Sequence, residues 1–226
     1  DLSHNPYVIK RLFSNRESAH IVIASRYIRG GLANMPFTRR MLSIILNKFL
    51  CFGLSLPLKD ISSGFRLYRS DIFKEIDFCE RDFNALAEIL VMAYMNGFKV
   101  KEIPFHYQPR TGGRSHAKII KFGLGFLRTF LKMWKLRNTI FSADYDERAF
   151  YSRIPLQRFW QRRRYNIICG FAGYENRILD IGCGSSKILS AQPQAVGLDI
   201  DFKKLRYGLS LGNPLVNADI RNLPFK

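Results

Sequence analysis

Ile178-Leu179-Asp180-Ile181-Gly182-Cys183-Gly184-Ser185-Ser186 is the stretch on which the fold turns. A short β-branched run ends in an acid and passes into two glycines one residue apart. That is a strand entering a tight turn where no Cβ keeps the backbone from a ligand. Outward from it, residues 177–181 predict one strand, and a short helix follows the turn. Residues 195–200 predict a second strand and residues 214–219 a third. The second strand carries Asp199 and the third ends in Asp219, followed by Leu223-Pro224-Phe225. Strand, glycine turn, helix, strand is the texture of a parallel α/β sheet. An acid at the second strand end suits a ribose diol, because a carboxylate accepts both hydroxyl protons.

This order resembles the class I S-adenosylmethionine-dependent methyltransferases over about residues 177–226. Leu179 to Gly184 match their first motif. The resemblance implies S-adenosyl-L-methionine as cofactor, bound by Asp180, Gly182, Gly184, Asp199 and Asp219. Dehydrogenases are the competing reading, but they want a third glycine where Lys187 stands. Asp180 also suits a sulfonium and its amino group better than a pyrophosphate. The methyl acceptor is unknown.

Upstream the texture differs. The chain opens Asp1-Leu2-Ser3-His4. Residues 20–25 predict a strand, 37–52 a helix, 65–69 a strand and 83–96 an amphipathic helix closed by Gly97. Residues 99–107 alternate as a strand, with Pro104 hinting at an edge. Among these elements lie Ala24-Ser25-Arg26-Tyr27, Asp60-Ile61-Ser62-Ser63-Gly64-Phe65-Arg66 and Arg110-Thr111-Gly112-Gly113-Arg114-Ser115. In this order the pieces resemble the C-terminal half of a family 2 glycosyltransferase of GT-A fold, closest to the polyprenyl-phosphate (dolichyl-phosphate) mannose or glucose synthases. The likeness covers roughly residues 1–137.

The resemblance implies transfer of a hexose from a nucleoside-diphosphate sugar to a polyprenyl phosphate, with a divalent cation, Mg or Mn, on the leaving diphosphate. Asp1 matches the second acid of the metal-binding pair. Arg26, Arg110, Arg114, Ser115 and Lys118 would bind phosphate, since arginine offers a fork of donors and lysine a point charge. Asp60 is the expected acceptor-side catalytic acid, orienting a phosphate that is already anionic at neutral pH. Glu102 is expected to pair with Lys99 or Lys101.

Lys+Arg total 36 against 18 Asp+Glu, a net +18, which calls for an anionic partner. Residues 99–164 hold sixteen basic and four acidic residues, so much of the excess lies there. Between 118 and 137 five of the six basic residues, Lys118, Lys121, Arg128, Lys132 and Lys135, step by three or four with Gly125 in the gap, while nearly everything else is large and apolar. Such a helix is about 30 Å long. Its charges argue against spanning a bilayer and for lying in the headgroup plane. Residues 138–176 read as a connector. The four cysteines show neither paired nor metal-ligand spacing and read as reduced thiols.

The expectation is therefore an α/β chain: a partial GT-A glycosyltransferase domain (1–117), a basic amphipathic interfacial helix and connector (118–176), and a partial Rossmann-like methyltransferase domain (177–226). It is expected to be a fragment of a bifunctional transferase, inactive by itself, peripheral on the cytoplasmic face of the membrane. The alternative is a membrane- or RNA-tethered methyltransferase whose first module is no sugar transferase. RNA binding would account for the charge but not for Asp60 to Arg66 or Arg110 to Ser115, so nucleic acid is not the expected partner.

Overall fold

The computed structural model describes residues 5–80, 82–108, 119–173, 177–185 and 187–225. Side chains of residues 82–83 and 119–126 are outside that description. The chain divides into two compact units, residues 1–93 with 98–137, and residues 94–97 with 138–226.

The first unit begins with α1 (Tyr7–Ser14), β1 (Ile21–Ser25), β2 (Leu32–Ala33) and α2 (Phe37–Gly53), followed by β3 (Arg66–Tyr68), α3 (Ile72–Glu75) and α4 (Asp82–Met95). β4 (Val100–Pro104), β5 (His106–Tyr107) and α5 (Ile119–Arg137) complete it. β1 is a β-branched run buried at all five positions, which suits a central strand. It pairs antiparallel with β3, Val22 opposite Leu67, and parallel with β4, Val22 opposite Lys101. The sheet order is β3-β1-β4, so Pro104 does lie on an edge strand among the described residues. β2 and β5 form a separate parallel pair. Alternation sends Val22 and Ala24 to one face, where they pack with Val8, Leu12, Ala19, Ile103 and Phe105.

Two helices differ from expectation. α4 is buried at every position from Ala87 to Val91 rather than along one stripe. Glu88 within it survives burial because its carboxylate accepts the backbone N–H groups of Cys79 and Glu80 and meets Lys132 Nζ at 3.0 Å. Lys132 is thus an ion-pair partner as well as a member of the basic stripe. On α5 the buried line is Thr129, Met133 and Arg137, with Arg137 donating to the Leu54 and Ser55 carbonyls at 3.1 Å. Leu127, Arg128, Leu131, Lys132, Trp134 and Lys135 are exposed.

The second unit holds the stretch read as a connector, and it is helical: α6 (Tyr145–Phe150) and α7 (Pro155–Ala172). Then come β6 (Leu179–Ile181), α8 (Ile188–Ala191), β7 (Val196–Asp199), α9 (Phe202–Gly208), a 3-10 turn (Leu209–Leu211) and β8 (Leu215–Asn217). The strands are parallel in the order β6-β7-β8, Ile181 opposite Leu198 and Leu198 opposite Val216. This is the expected β-α-β sheet. Cys183, Leu189, Ala195 and Leu205 form its core.

Candidate functional sites

In the first unit the chemistry gathers where β1 and β4 end. Ligands of open α/β sheets sit at the carboxyl ends of parallel strands. Arg26 follows β1 directly, and Asp60 lies in the loop between α2 and β3. The two are partners. Asp60 Oδ2 accepts from Arg26 N at 2.9 Å and Nε at 2.8 Å, and Oδ1 accepts from Nη2 at 2.7 Å. Asp60 is wholly buried. Burial pulls the Arg26 guanidinium down, but the hydrogen bonds and charge of Asp60 outweigh it and the net shift is upward.

Ser62 closes the arrangement. Its hydroxyl donates to Asp60 Oδ1 at 3.1 Å and accepts from Arg26 Nη2 at 2.7 Å and Asn47 Nδ2 at 2.9 Å. Asn47 Oδ1 in turn accepts the Ser62 N–H at 3.0 Å. From β4, Glu102 accepts the N–H groups of Lys59 and Asp60, both at 2.9 Å. The expected pairing of Glu102 with Lys99 or Lys101 is therefore corrected. A carboxylate that satisfies two loop amides gains more than one paired with a solvated ammonium, and Lys101 Nζ instead reaches Asn15 and Ser18. Arg66 props the loop from beneath, donating to the carbonyls of Ser63, Ile61 and Leu86.

The outcome is a fixed, internally neutralised cluster. With these donors in place, the Asp60 carboxylate holds the loop against the strand end. Asp1, Arg110, Arg114, Ser115 and Lys118 lie outside the described residues. Among the described residues no three His, Cys, Asp or Glu side chains group to hold a metal, and both Asp60 oxygens already accept hydrogen bonds. The described part of the cluster fastens its loop to the strand ends.

In the second unit β6 runs into the glycine turn. Gly182 (φ +72°) and Gly184 (φ +53°) both adopt the left-handed backbone that glycine tolerates. Gly182 and Cys183 donate their N–H groups to the Leu198 carbonyl, tying the turn to β7. Asp199 Oδ2 accepts the Gly184 N–H and Oδ1 the Asp201 N–H, both at 2.8 Å. Asp199 thereby braces the turn. Asp146, from α6, accepts from the N–H of Ser185 at 3.2 Å and from its hydroxyl at 3.3 Å.

Asp180 is different. Its Oδ2 is buried without a hydrogen-bond partner among the described residues. Burial, the largest influence, pushes its carboxyl above the ordinary range; Arg164 pulls it back and Asp199 adds to the rise. A cavity of about 200 Å³ opens over the turn, lined by Asp146, Phe150, Arg164, Tyr165, Gly182 and Lys187 among others. Nothing stands within 4 Å of where a Gly182 Cβ would be. Asp219 is held by Arg221, which donates to it from its backbone and guanidinium and lowers its pKa.

The sequence singled out Glu102 and Arg66 without these partners; Asn47 and Asp146 are the site residues that sequence reading missed. Each acts across a long separation or through the backbone, so no local motif announces it.

No protein-family model matches the chain. Over 120 residues, 51% of its length, it is 33% identical to the polyprenol monophosphomannose synthase of Mycolicibacterium smegmatis, covering 45% of that protein. Over 119 residues it is 31% identical to the undecaprenyl-phosphate mannosyltransferase of Micrococcus luteus, covering 49% of it. Over 91 residues it is 28% identical to the dolichyl-phosphate hexose transferase of Haloferax volcanii. The chain spans about half the length of the curated relatives it matches.

Proposed function

We propose that the first unit is the C-terminal half of a GT-A domain that transfers a hexose from a nucleoside-diphosphate sugar to a polyprenyl phosphate, working at the cytoplasmic face of a membrane. The observation that carries this is the likeness, over 51%, 51% and 40% of the chain, to three enzymes named for sugar transfer to, or synthesis of, such lipids. The geometry supports it. The Arg26–Asp60–Ser62–Asn47 cluster fixes a loop at the ends of parallel strands, the place where such folds bind ligands. The metal and phosphate roles proposed for Asp1, Arg110, Arg114, Ser115 and Lys118 complete the reading.

A lipid acceptor requires contact with the bilayer surface. Among the described residues no helix is long and apolar enough to cross a membrane. Two helices are suited to lie on one. α2 exposes Phe37, Met41, Ile45, Phe49 and Phe52, repeating at steps of four and three along one face. α5 exposes Leu127, Leu131 and Trp134 beside Arg128 and Lys135. The test is co-sedimentation with vesicles containing polyprenyl phosphate, against vesicles of equal charge without it. Preferential retention is expected, weakened by Leu131→Gln with Trp134→Gln. Equal retention on both would overturn the acceptor.

For the second unit we propose the opening part of a class I methyltransferase domain. The unpartnered Asp180 oxygen beside the left-handed glycine turn favours it, because a ligand carrying an amino group would satisfy that carboxylate. Asp180 and Gly182 would hold S-adenosyl-L-methionine, which supplies an electrophilic methyl group when bound. Gly184, Asp199 and Asp219 belong to the same proposal. Of these, Asp199 supports the turn through its amides. A thermal shift with S-adenosylhomocysteine, lost in Asp180→Ala, is expected; a shift with NAD instead would sink the reading.

A further inference from the structure

α7 is an 18-residue helix, about 27 Å long, and not one of its residues is buried. Its half-buried side, including Gln161, Tyr165 and Cys169, faces its own unit, with the Tyr165 ring edge-on to Phe150 at 5.2 Å. The opposite side is bare. Leu156, Trp160, Ile167 and Phe171, at steps of four, seven and four, are 67, 63, 47 and 89% exposed. An ordinary surface helix turns such a line inward.

The charges on the same helix are one-sided. Arg158, Arg162, Arg163 and Arg164 lie on it, and residues 151–173 contain no Asp or Glu. At 100° per residue Arg163 and Arg164 flank the apolar line, one on each side, while Arg162 and Arg158 lie further round beyond Arg163. Phe159 stands beside these, and a shallow groove runs along Phe159, Arg162, Arg163 and Ile167. Apolar side chains flanked by guanidinium groups, with no acid among them, complement a surface that is apolar below and anionic above.

We propose that α7 is a lipid-surface helix, a membrane contact of the second unit separate from α2 and α5, whose partner is an anionic bilayer. Leu156, Trp160, Ile167 and Phe171 enter the acyl boundary, and Arg163 and Arg164 at its two edges take lipid phosphates. The arrangement stands whether or not the first unit transfers sugar.

The two tryptophans make the test direct, since Trp134 lies on α5 and Trp160 on α7. In the full chain carrying Trp134→Phe, Trp160 emission should shift to the blue on vesicles containing phosphatidylserine. It should not do so on phosphatidylcholine alone. Each basic residue near an anionic surface contributes about a fivefold partition. Arg163→Gln with Arg164→Gln should therefore weaken binding about twenty-fivefold at low salt, with an unchanged circular dichroism spectrum. A Trp160 silent on vesicles, while Trp134 responds in the Trp160→Phe chain, overturns the proposal. So does tighter binding to an RNA oligonucleotide than to vesicles at equal salt. A blue shift that grows with protein concentration in the absence of lipid would assign the face to a second copy instead.

Discussion

Asp60 and Arg26 show how two residues can each be picked out by sequence while the bond between them is not. Both Arg26 and Asp60 stand out in their motifs, yet only the structure joins them, because 34 residues separate the two. Removing one member strands the other charge in a dry site, and Asp60→Ala is expected to cost about 3–5 kcal/mol. Denaturant titration of the first unit checks this, and Arg26→Met with Asp60→Leu should recover much of the loss. Gly31 marks a second sensitive point. A Cβ there would stand 2.7 Å from the Ser25 carbonyl oxygen and 2.8 Å from the Arg26 carbonyl carbon, so Gly31→Ala should shift the backbone that carries Arg26. Asp180 offers a pH test. Its folded pKa is raised chiefly by burial, so its ionised form opposes folding. That penalty is absent below the unfolded value near 3.9 and grows as pH rises through the folded one. Asp180→Asn should thus raise the melting temperature at pH 7, and the gain should vanish towards pH 3.5.

The elements that sequence reading located are those written in a short local run or spacing of residue types. β1 is a short β-branched run, β6 and β7 are short apolar stretches each carrying an aspartate, and α2 carries helical spacing throughout; each was visible as such. α7 escaped because a helix with no buried residue has no inward stripe to read, and its arginines gave it the look of a linker. α4 was expected to be two-faced and is enclosed instead, since neighbours cover it on several sides and only tertiary structure brings them. α5 shows both faces at once, which allows a paired test. Met133 is wholly buried and Leu131 is half exposed. Met133→Ala should cost about 2–5 kcal/mol, whereas Leu131→Ala should stay within about 0.5 kcal/mol while weakening retention on vesicles. Thermal melts and co-sedimentation on the same two variants separate packing from lipid contact.

At the scale of the whole molecule, each unit carries its own core and its own buried thiol. Burial pushes Cys51 up to about 11 and Cys183 up to about 12, while Cys79 is exposed. Since the thiolate is the reactive form, iodoacetamide at pH 8 should label Cys79 first. Cys51 and Cys183 should react only on unfolding, and mass spectrometry along a denaturant series should show them appearing at different concentrations if the units melt separately. Strand order adds a consequence in time. β1 lies between partners from far along the chain, and β4 pairs with it in parallel across roughly 80 residues. At about 5–20 residues per second, β4 leaves the ribosome some 4–16 s after β1. Until then Glu102 is not there to hold the amides of Lys59 and Asp60. The loop that carries the proposed sugar-transfer site is therefore among the last parts of the first unit to be fastened, and a chain stalled before residue 102 would present β1 as an open, apolar edge to whatever else is being made nearby.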